Sequence, residues 1–383
     1  MDCTFCGKES TEFMDYGEVS LAGGFLKPDQ FENEKKYPLK LYFCEHCYAV
    51  EVGEKIDPDI LFKDYFYHSS EISSLNEHFK NYAKQLMYDY NPESVLEIGC
   101  NDGVMLRHFN IERKIGVDPS SAARGVENVI NGPFTEKLSN NLGKFDVIVA
   151  NNVLAHIQDI HDVIRGVKNC MKNDSVFVFE LHSLEDMLDK TQYDWVYHEH
   201  LYYYSFLSLE SFLSKYGIRI FDVKNLENHA GSRRYYACID GRPATEIVHD
   251  IREIEKYEGL DKLDTFNKFR LRAEAQRDEL MAILNFIKDK GERVVGYGAC
   301  GRANTMIQYC GITKDHMEYI VDDAPKKEGF FTPASHFEIR SYQDDNRPHY
   351  FLVFCWSFYN DISSKLKTKA IIPLPNAHVR SAT

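Results

Sequence analysis

Two Cys-x-x-Cys pairs, Cys3/Cys6 and Cys44/Cys47, constrain this chain more than any other feature. Each knuckle lets two thiolates face one ion. Two knuckles complete the closed four-sulfur shell of a structural zinc site. The segment around them carries little continuous hydrophobic periodicity, and so small a unit needs such a staple. With all four positions filled by protein, no position remains for water, so the zinc is expected to be structural and His46 a bystander. The other six of the ten cysteines are dispersed. They read as buried thiols of a reducing compartment and not as disulfides.

Beyond residue 70 the chain alternates. Apolar residues recur at helical spacing from Leu75 to Tyr90. Short buried strands follow at 94–100, 115–120, 145–152 and 175–181, with a helix predicted from Val153 to Cys170. A further strand reads at 233–240, then one helical stretch from Ala244 to Lys290. The alternation restarts with strand, glycine turn and helix at 293–306, then strands at 317–323 and 349–356. This grammar predicts an α/β protein with mostly parallel sheets. At 383 residues the chain suits two α/β domains and a small module. The expected divisions are 1–70, 71–232 and 233–383.

The formal charge is −14, and Lys and Arg form no run of five. Phosphate contacts dominate nucleic-acid affinity, so a nucleic-acid partner is not expected. No apolar run approaches the roughly 20 residues of a membrane span. The start of the chain lacks the pattern of a signal peptide. A cytoplasmic enzyme acting on a small molecule is the expectation.

The segment VLEIGCNDGVML (95–106) is strand, glycine turn and helix start. Gly99 and Gly103 permit close backbone approach to a ligand. Glu97 stands near the strand end, Asn101 and Asp102 lie in the turn, and Asp118 ends the next strand, placed to accept from ribose hydroxyls. Asn151 and Asn152 end the third strand. The pattern E-x-G-x-x-x-G followed by an acidic residue differs from the dinucleotide fingerprint. It resembles the class I S-adenosylmethionine (SAM)-dependent methyltransferases.

The segment YDWVYHEHLYYYS (193–205) crowds aromatic rings beside titratable groups. One reading is a packed aromatic loop with satisfied histidines. HEH lacks the HExxH spacing of a zinc helix. The functional reading is acid–base chemistry, since His takes a proton near neutral pH and a neighbouring Glu or Tyr holds its tautomer. His156, after the third strand, is placed for the same crevice.

Taken in order, CxxC…CxxC, LEIGCNDG, ANNVLAHI, YHEH, GSRRYY and GYGACGRANT resemble the sugar C-methyltransferases of deoxysugar biosynthesis, nearest the type acting at C-3 of nucleotide-linked 4-keto-6-deoxysugars. The likeness runs through nearly the whole chain. It implies an N-terminal zinc-binding module, a central class I Rossmann-like domain binding SAM, and a second Rossmann-like α/β domain that helps hold the nucleotide sugar. It implies His200 as base, supported by Tyr197, Glu199 and His156. For the substrate it implies Tyr65, Tyr67, Gly298, Arg302 and Asn304, with His198 of the loop and Arg233 as further candidates. The C-terminal turn departs from the family's more usual GYGAPAKGNT at Cys300, Gly301 and Arg302. Arg302, Arg233 or Lys326 would meet the diphosphate, for which Arg is well suited.

Three other readings compete. Gly296, Gly298 and Gly301 fit G-x-G-x-x-G, and Asp322 or Asp323 would suit a ribose, which would make the chain an NAD-dependent oxidoreductase. A zinc-stabilised binding protein without turnover is the second, and a nucleic-acid methyltransferase the third.

Overall fold

A computed structural model describes residues 1–61, 73–226, 231–343 and 348–381. Three sheets organise them. The first carries β1 (Thr11–Ser20), β2 (Lys36–Phe43) and β3 (Val50–Val52), antiparallel in turn. Its fourth strand comes from far along the chain: β9 (Tyr202–Tyr203), pairing Val50 with Tyr203 and Glu51 with Tyr202.

The second sheet has seven strands: β4 (Ser94–Ile98), β5 (Arg113–Asp118), β6 (Val129–Asn131), β7 (Phe145–Asn151), β8 (Met171–His182), β10 (Arg219–Leu226) and β11 (Ser232–Cys238). Their order is β10-β11-β8-β7-β4-β5-β6. The five strands β6-β5-β4-β7-β8 are parallel, and β11 is antiparallel to both of its neighbours. This is the class I methyltransferase arrangement. All five residues of β4 are buried, as a strand covered on both faces requires. The order reverses at β4, so a ligand crevice opens at its carboxyl end.

The third sheet runs β14-β13-β12-β15-β16-β17. Its strands are β12 (Val294–Tyr297), β13 (Ile320–Asp322), β14 (Ile339–Ser341), β15 (Tyr350–Val353), β16 (Lys369–Ile372) and β17 (His378–Arg380). All pair in parallel except β17. The repeated strand–turn–helix grammar thus builds a second doubly wound unit. Its core is continuous with that of the N-terminal sheet: Phe13 and Phe43 both pack their rings on Phe266 of the helix Leu263–Asp289. The N-terminal segment therefore has a core, which it borrows.

Three sequence expectations shift. The predicted helix from Val153 begins at Ile160, where the Asp159 side chain caps it; before that, Leu154–His156 form a 3-10 turn. The stretch 244–290 is two helices, Glu246–Tyr257 and Leu263–Asp289, separated by Gly259 at φ +77°. β11 pairs with β8 and β10, so the boundary drawn at 233 falls inside the methyltransferase sheet.

That strand also settles Arg233. It is 5% exposed and its guanidinium binds Glu185 and, at 2.8 Å, the fully buried Glu255. Glu255 accepts the backbone N–H groups of Phe206 and Leu207, fixing the start of the helix Phe206–Ser214. Arg233 is spent inside the fold and does not face a substrate diphosphate. Burial raises the Glu255 carboxyl to about 7 against the pull of Arg233. The native state then keeps a proton that the unfolded chain gives up, so this group's contribution falls as pH rises towards 7. Arg233→Met leaves a buried carboxylate uncompensated, a loss of about 3–5 kcal/mol. In denaturant unfolding the loss is expected to be larger at pH 8 than at pH 5; an equal loss at both would show that Glu255 does not carry it.

Candidate active site

The two knuckles are built alike. Gly7 N–H donates to Cys3 O and Tyr48 N–H to Cys44 O, each at 2.8 Å; Cys3 N–H reaches Lys8 O and Cys44 N–H reaches Ala49 O. Gly7 and Tyr48 both take left-handed φ, +69° and +63°. The four sulfurs lie within 4.8 Å of one another, with Cys3–Cys47 and Cys6–Cys44 at 3.5 Å. Such spacing fits one tetrahedral zinc held by thiolates. His46 is exposed and outside the cluster. Phe5, inside the first knuckle, stacks on Phe212 of the methyltransferase unit at 4.3 Å.

At the end of β4 the chain turns through Gly99 at φ +70°, where a Cβ would stand 2.5 Å from Val153 Cγ2. Only glycine fits there. Gly103 takes φ +71°. Asn101 and Asn152 are also left-handed, at +50° and +51°. Asp118 is buried and accepts the N–H groups of Asn101 (2.9 Å) and Ser120 (2.7 Å), locking the two turns together. Glu97 is buried with its Oε2 unbonded among the described residues. Burial first, then the Asp118 charge, raises its carboxyl to about 8. Asn151 Oδ1 is likewise buried without a partner, while Asn151 Nδ2 rests on Met105 Sδ. Two buried acceptors left unbonded beside a side-chain-free turn fit a cofactor that brings an ammonium group, as SAM does. Asp102 lies in the same turn, half-buried.

The histidine-rich loop is held from three sides. Leu201 N–H donates to Ala155 O at 2.7 Å, and Val52 N–H to Leu201 O at 2.9 Å. Tyr204 OH donates to Leu154 O, and Tyr202 OH to Gln158 O, both at 3.0 Å. Tyr203 OH donates to Trp195 O. The three tyrosines are struts. Between them His200 N–H closes a turn on Tyr197 O, and the Tyr197 hydroxyl meets His200 Nε2 at 3.1 Å. His156 Nδ1 lies 2.6 Å from Glu199 O. A carbonyl only accepts, so Nδ1 carries the proton. Burial lowers the His156 pKa, against the carbonyls of Glu199 and Asn152. The His156 and His200 rings are 4.9 Å apart, and both imidazoles are half-buried. His200 also lies parallel to Trp195 at 5.7 Å, which in turn stacks on His182 at 4.2 Å.

The loop's other two side chains point elsewhere. Fully buried His198 meets Pro38 O of β2 through Nε2 at 3.1 Å. It braces the loop and does not line the cleft. Glu199 accepts Gly23 N–H at 2.9 Å, and its burial raises the carboxyl pKa. Its carbonyl, not its carboxylate, reaches a histidine.

Comparison with known proteins follows this architecture in order. Residues 3–62 match a family described as a zinc binding domain, 72–223 a methyltransferase domain, and 227–375 a C-methyltransferase C-terminal domain. The C-methyltransferase NovU of Streptomyces niveus is 28% identical over 410 residues, spanning all of this chain and 97% of NovU. From end to end the chain is similar to a C-methyltransferase. It is a SAM-dependent methyltransferase with a structural zinc site. Solved structures similar to it include a SAM-dependent methyltransferase from Clostridium acetobutylicum (14% identity, 45% of this chain and 94% of that one, TM-score 0.35). Magnesium protoporphyrin IX methyltransferase of Synechocystis with bound SAM is another (14%, 43% and 78%, TM-score 0.31). Superpositions this loose leave the fold resting on the sheet order itself.

In this C-methyltransferase the C-terminal turn departs from expectation. Gly296 is a packing residue of β12, where a Cβ would meet Ile320, Met317 and Phe354 at 2.9 Å. Gly301 faces Ala22 of the N-terminal module. Two of the three fingerprint glycines thus serve packing. The Asp322 carboxylate takes the N–H groups of Ala299 and Ala324 and the Lys327 ammonium. Gly298, at φ +94°, makes the turn itself and passes close to Cys355. Asn304, fully buried, holds Ala22 O through Nδ2. Arg302 pairs with Asp194 in the interior. Asn304 Nδ2 and Arg302 Nε are thus engaged by protein, while Asn304 Oδ1 is buried without a hydrogen-bond partner among the described residues. Lys326 is exposed on the turn Pro325–Lys327. Tyr65 and Tyr67 lie outside the described residues. Asp194, Trp195 and His182 were missed from sequence; the Asp-Trp pair just ahead of YHEH was the available signal. Among the described residues, no helix is long and apolar enough to cross a membrane.

Glu97 gives this site a measurable proton. With its carboxyl at about 8, it is mostly protonated at pH 7, and a cationic ligand group would draw the proton off. Calorimetry of SAM binding at pH 7, in buffers of different ionisation heat, is expected to show release of up to about one proton per chain. The release should vanish at pH 9 and in Glu97→Gln. Binding with no proton release at pH 7 would place the ammonium away from Glu97.

Proposed function

We propose that this C-methyltransferase moves the SAM methyl group onto the carbon beside the ketone of a nucleotide-linked 4-keto-deoxysugar, with His200 as the base. The observation that carries this reading is the cluster of His200, His156 and Tyr197 just beyond the end of β7, on the side where the SAM crevice opens. A sugar C–H is acidic only next to a carbonyl, where the carbanion spreads into an enolate. A reaction at such a carbon needs a base, a donor for the enolate oxygen and a dry, fixed geometry.

The residues divide these tasks by what they have to offer. His156 has carbonyls of both walls asking for its proton, Asn152 on β7's exit and Glu199 in the loop, so it fixes the loop to the crevice. His200, whose Nε2 meets a phenol, is the group suited to accept the sugar's proton. The Tyr197 hydroxyl is the donor suited to the enolate oxygen. Glu97, Asp118 and Asn151 would hold SAM, with Gly99 and Gly103 giving its backbone approach and Asn101, Asp102 and Asn152 shaping the turns. When bound, SAM supplies an electrophilic methyl group. NovU's family supports carbon as the acceptor. The keto sugar is supported by the need for an acidified C–H at a site built around imidazoles.

The test is product mass after incubation with SAM and a panel of 4-keto-6-deoxy sugar nucleotides. One methyl gain on a panel member is expected, with kcat lowered about 10²–10⁴-fold in His200→Gln and SAM affinity unchanged. Transfer to none of the panel, with SAM bound, would overturn the substrate class.

A further inference from the structure

The C-terminal unit meets the approach to the histidine loop through buried contacts centred on Asp194. Asp194 sits in the 3-10 turn Tyr193–Trp195, immediately ahead of the loop, and is fully buried. Its Oδ2 accepts the Nε–H of Arg302 at 2.9 Å and the indole N–H of Trp356 at 3.0 Å, and Arg302 Nη2 stands 2.8 Å from the same oxygen as the ion pair. Arg302 belongs to the first turn of the helix Gly301–Cys310, directly after the C-terminal glycine turn, and Trp356 follows β15. One turn along the same helix, Thr305 Oγ1 donates to Val196 O at 2.9 Å. The guanidinium lies 4.9 Å from the Trp195 ring centre and 4.8 Å from that of Trp356. Trp195 then presents its parallel face to His200.

A buried ion pair is a weak source of stability, because desolvation offsets most of the Coulomb gain. What this pair does supply is a fixed direction: the Arg302 Nε–H and the Trp356 indole N–H converge on one carboxylate oxygen. The sequence pointed to Arg302 as a diphosphate ligand, and the structure engages it inward. We propose that Arg302 is a positioning residue: through Asp194 and the Trp195 stack it sets the plane of the His200 imidazole, so that the C-terminal glycine turn orients the base. This rests on His200 being the base. Among the described residues, the groups facing His200 include Trp195, His156, Tyr197 and Tyr203, and those facing Trp195 include His182, His200 and Arg302.

The chain's two tryptophans both touch this contact, so its intrinsic emission reports on it. A protonated imidazole stacked on an indole quenches it, which makes the pH titration of that emission a readout of ring geometry. In the full-length, zinc-loaded enzyme, Arg302→Lys and Asp194→Asn are expected to keep zinc content and SAM affinity. They should lower kcat about 10–100-fold, the scale of a small misplacement, with KM for the sugar nucleotide nearly unchanged. The emission titration and the acid limb of the pH–rate profile should both move. Should the charge variants fail to fold, Trp195→Leu removes the stack and leaves the ion pair, and it should reproduce the kcat loss and the shifted acid limb. A raised KM at unchanged kcat would overturn the proposal and return Arg302 to the diphosphate. Folded variants with unmoved kcat and titration would overturn it as well. His200→Gln separates the two readings: if it is fully active, the base assignment fails; if it is inactive while Arg302→Lys is unaffected, only the positioning role fails.

Discussion

The backbone pairing of Val50 and Glu51 with Tyr203 and Tyr202 is the joint on which the site depends. β3 leaves the second zinc knuckle three residues after Cys47, and β9 leaves the histidine loop two residues after His200. Two strands this short cannot hold register alone. They hold because the thiolate cluster fixes one, and because the tyrosine hydroxyls and the Leu201 hydrogen bonds fix the other. The zinc, whose closed shell leaves no position for a reacting group, is thereby part of how the imidazoles are placed. Glu51, fully buried, strengthens the joint by accepting both the backbone N–H and the hydroxyl of Thr4 in the first knuckle.

The two doubly wound units share one device. Asp118 ends its strand and accepts the N–H of Asn101 in the glycine turn and of Ser120 two residues beyond itself. Asp322 does the same with Ala299 and Ala324. A carboxylate binding both turns at the carboxyl edge of parallel strands holds the crevice open before any ligand arrives. The units then diverge in what surrounds the turn. Around Asp118 lie the unbonded oxygens of Glu97 and Asn151. Around Asp322 lie Lys327 and the segment from Ser20 to Gly24, fastened along the helix Gly301–Cys310 by Gln308 and Asn304. The first crevice keeps unmet hydrogen-bonding capacity for a cofactor; the second is partly closed by the chain itself.

What the sequence made legible was local. The cysteine spacing, the buried β4 with its glycine turn, and Asp118 after the next strand each follow from neighbours a few residues apart. The helix starting at Ile160 was misplaced because Asn152 and the 3-10 turn carrying His156 interrupt it, and apolar spacing alone does not show that. The long-range contacts were hidden for a different reason. Arg233 and Arg302 look alike in sequence to any exposed arginine, and only the fold brings Glu255 or Asp194 beside them. His198 and Glu199 sit in a motif dense with chemistry, yet they form the corner of a turn closed by His200 N–H on Tyr197 O, which turns them away from the two residues at its ends. Two of the four face the cleft and two brace the loop.

The central claim is that this chain removes a proton from carbon before methylating it. Solvent deuterium exchange tests it without the transfer step. The keto sugar nucleotide that serves as substrate is incubated with enzyme and S-adenosylhomocysteine in deuterated water, and its mass and proton spectrum are followed. The account predicts one deuterium at the carbon beside the ketone with the native chain and loss of that exchange with His200→Gln. Equal exchange by the two would contradict it.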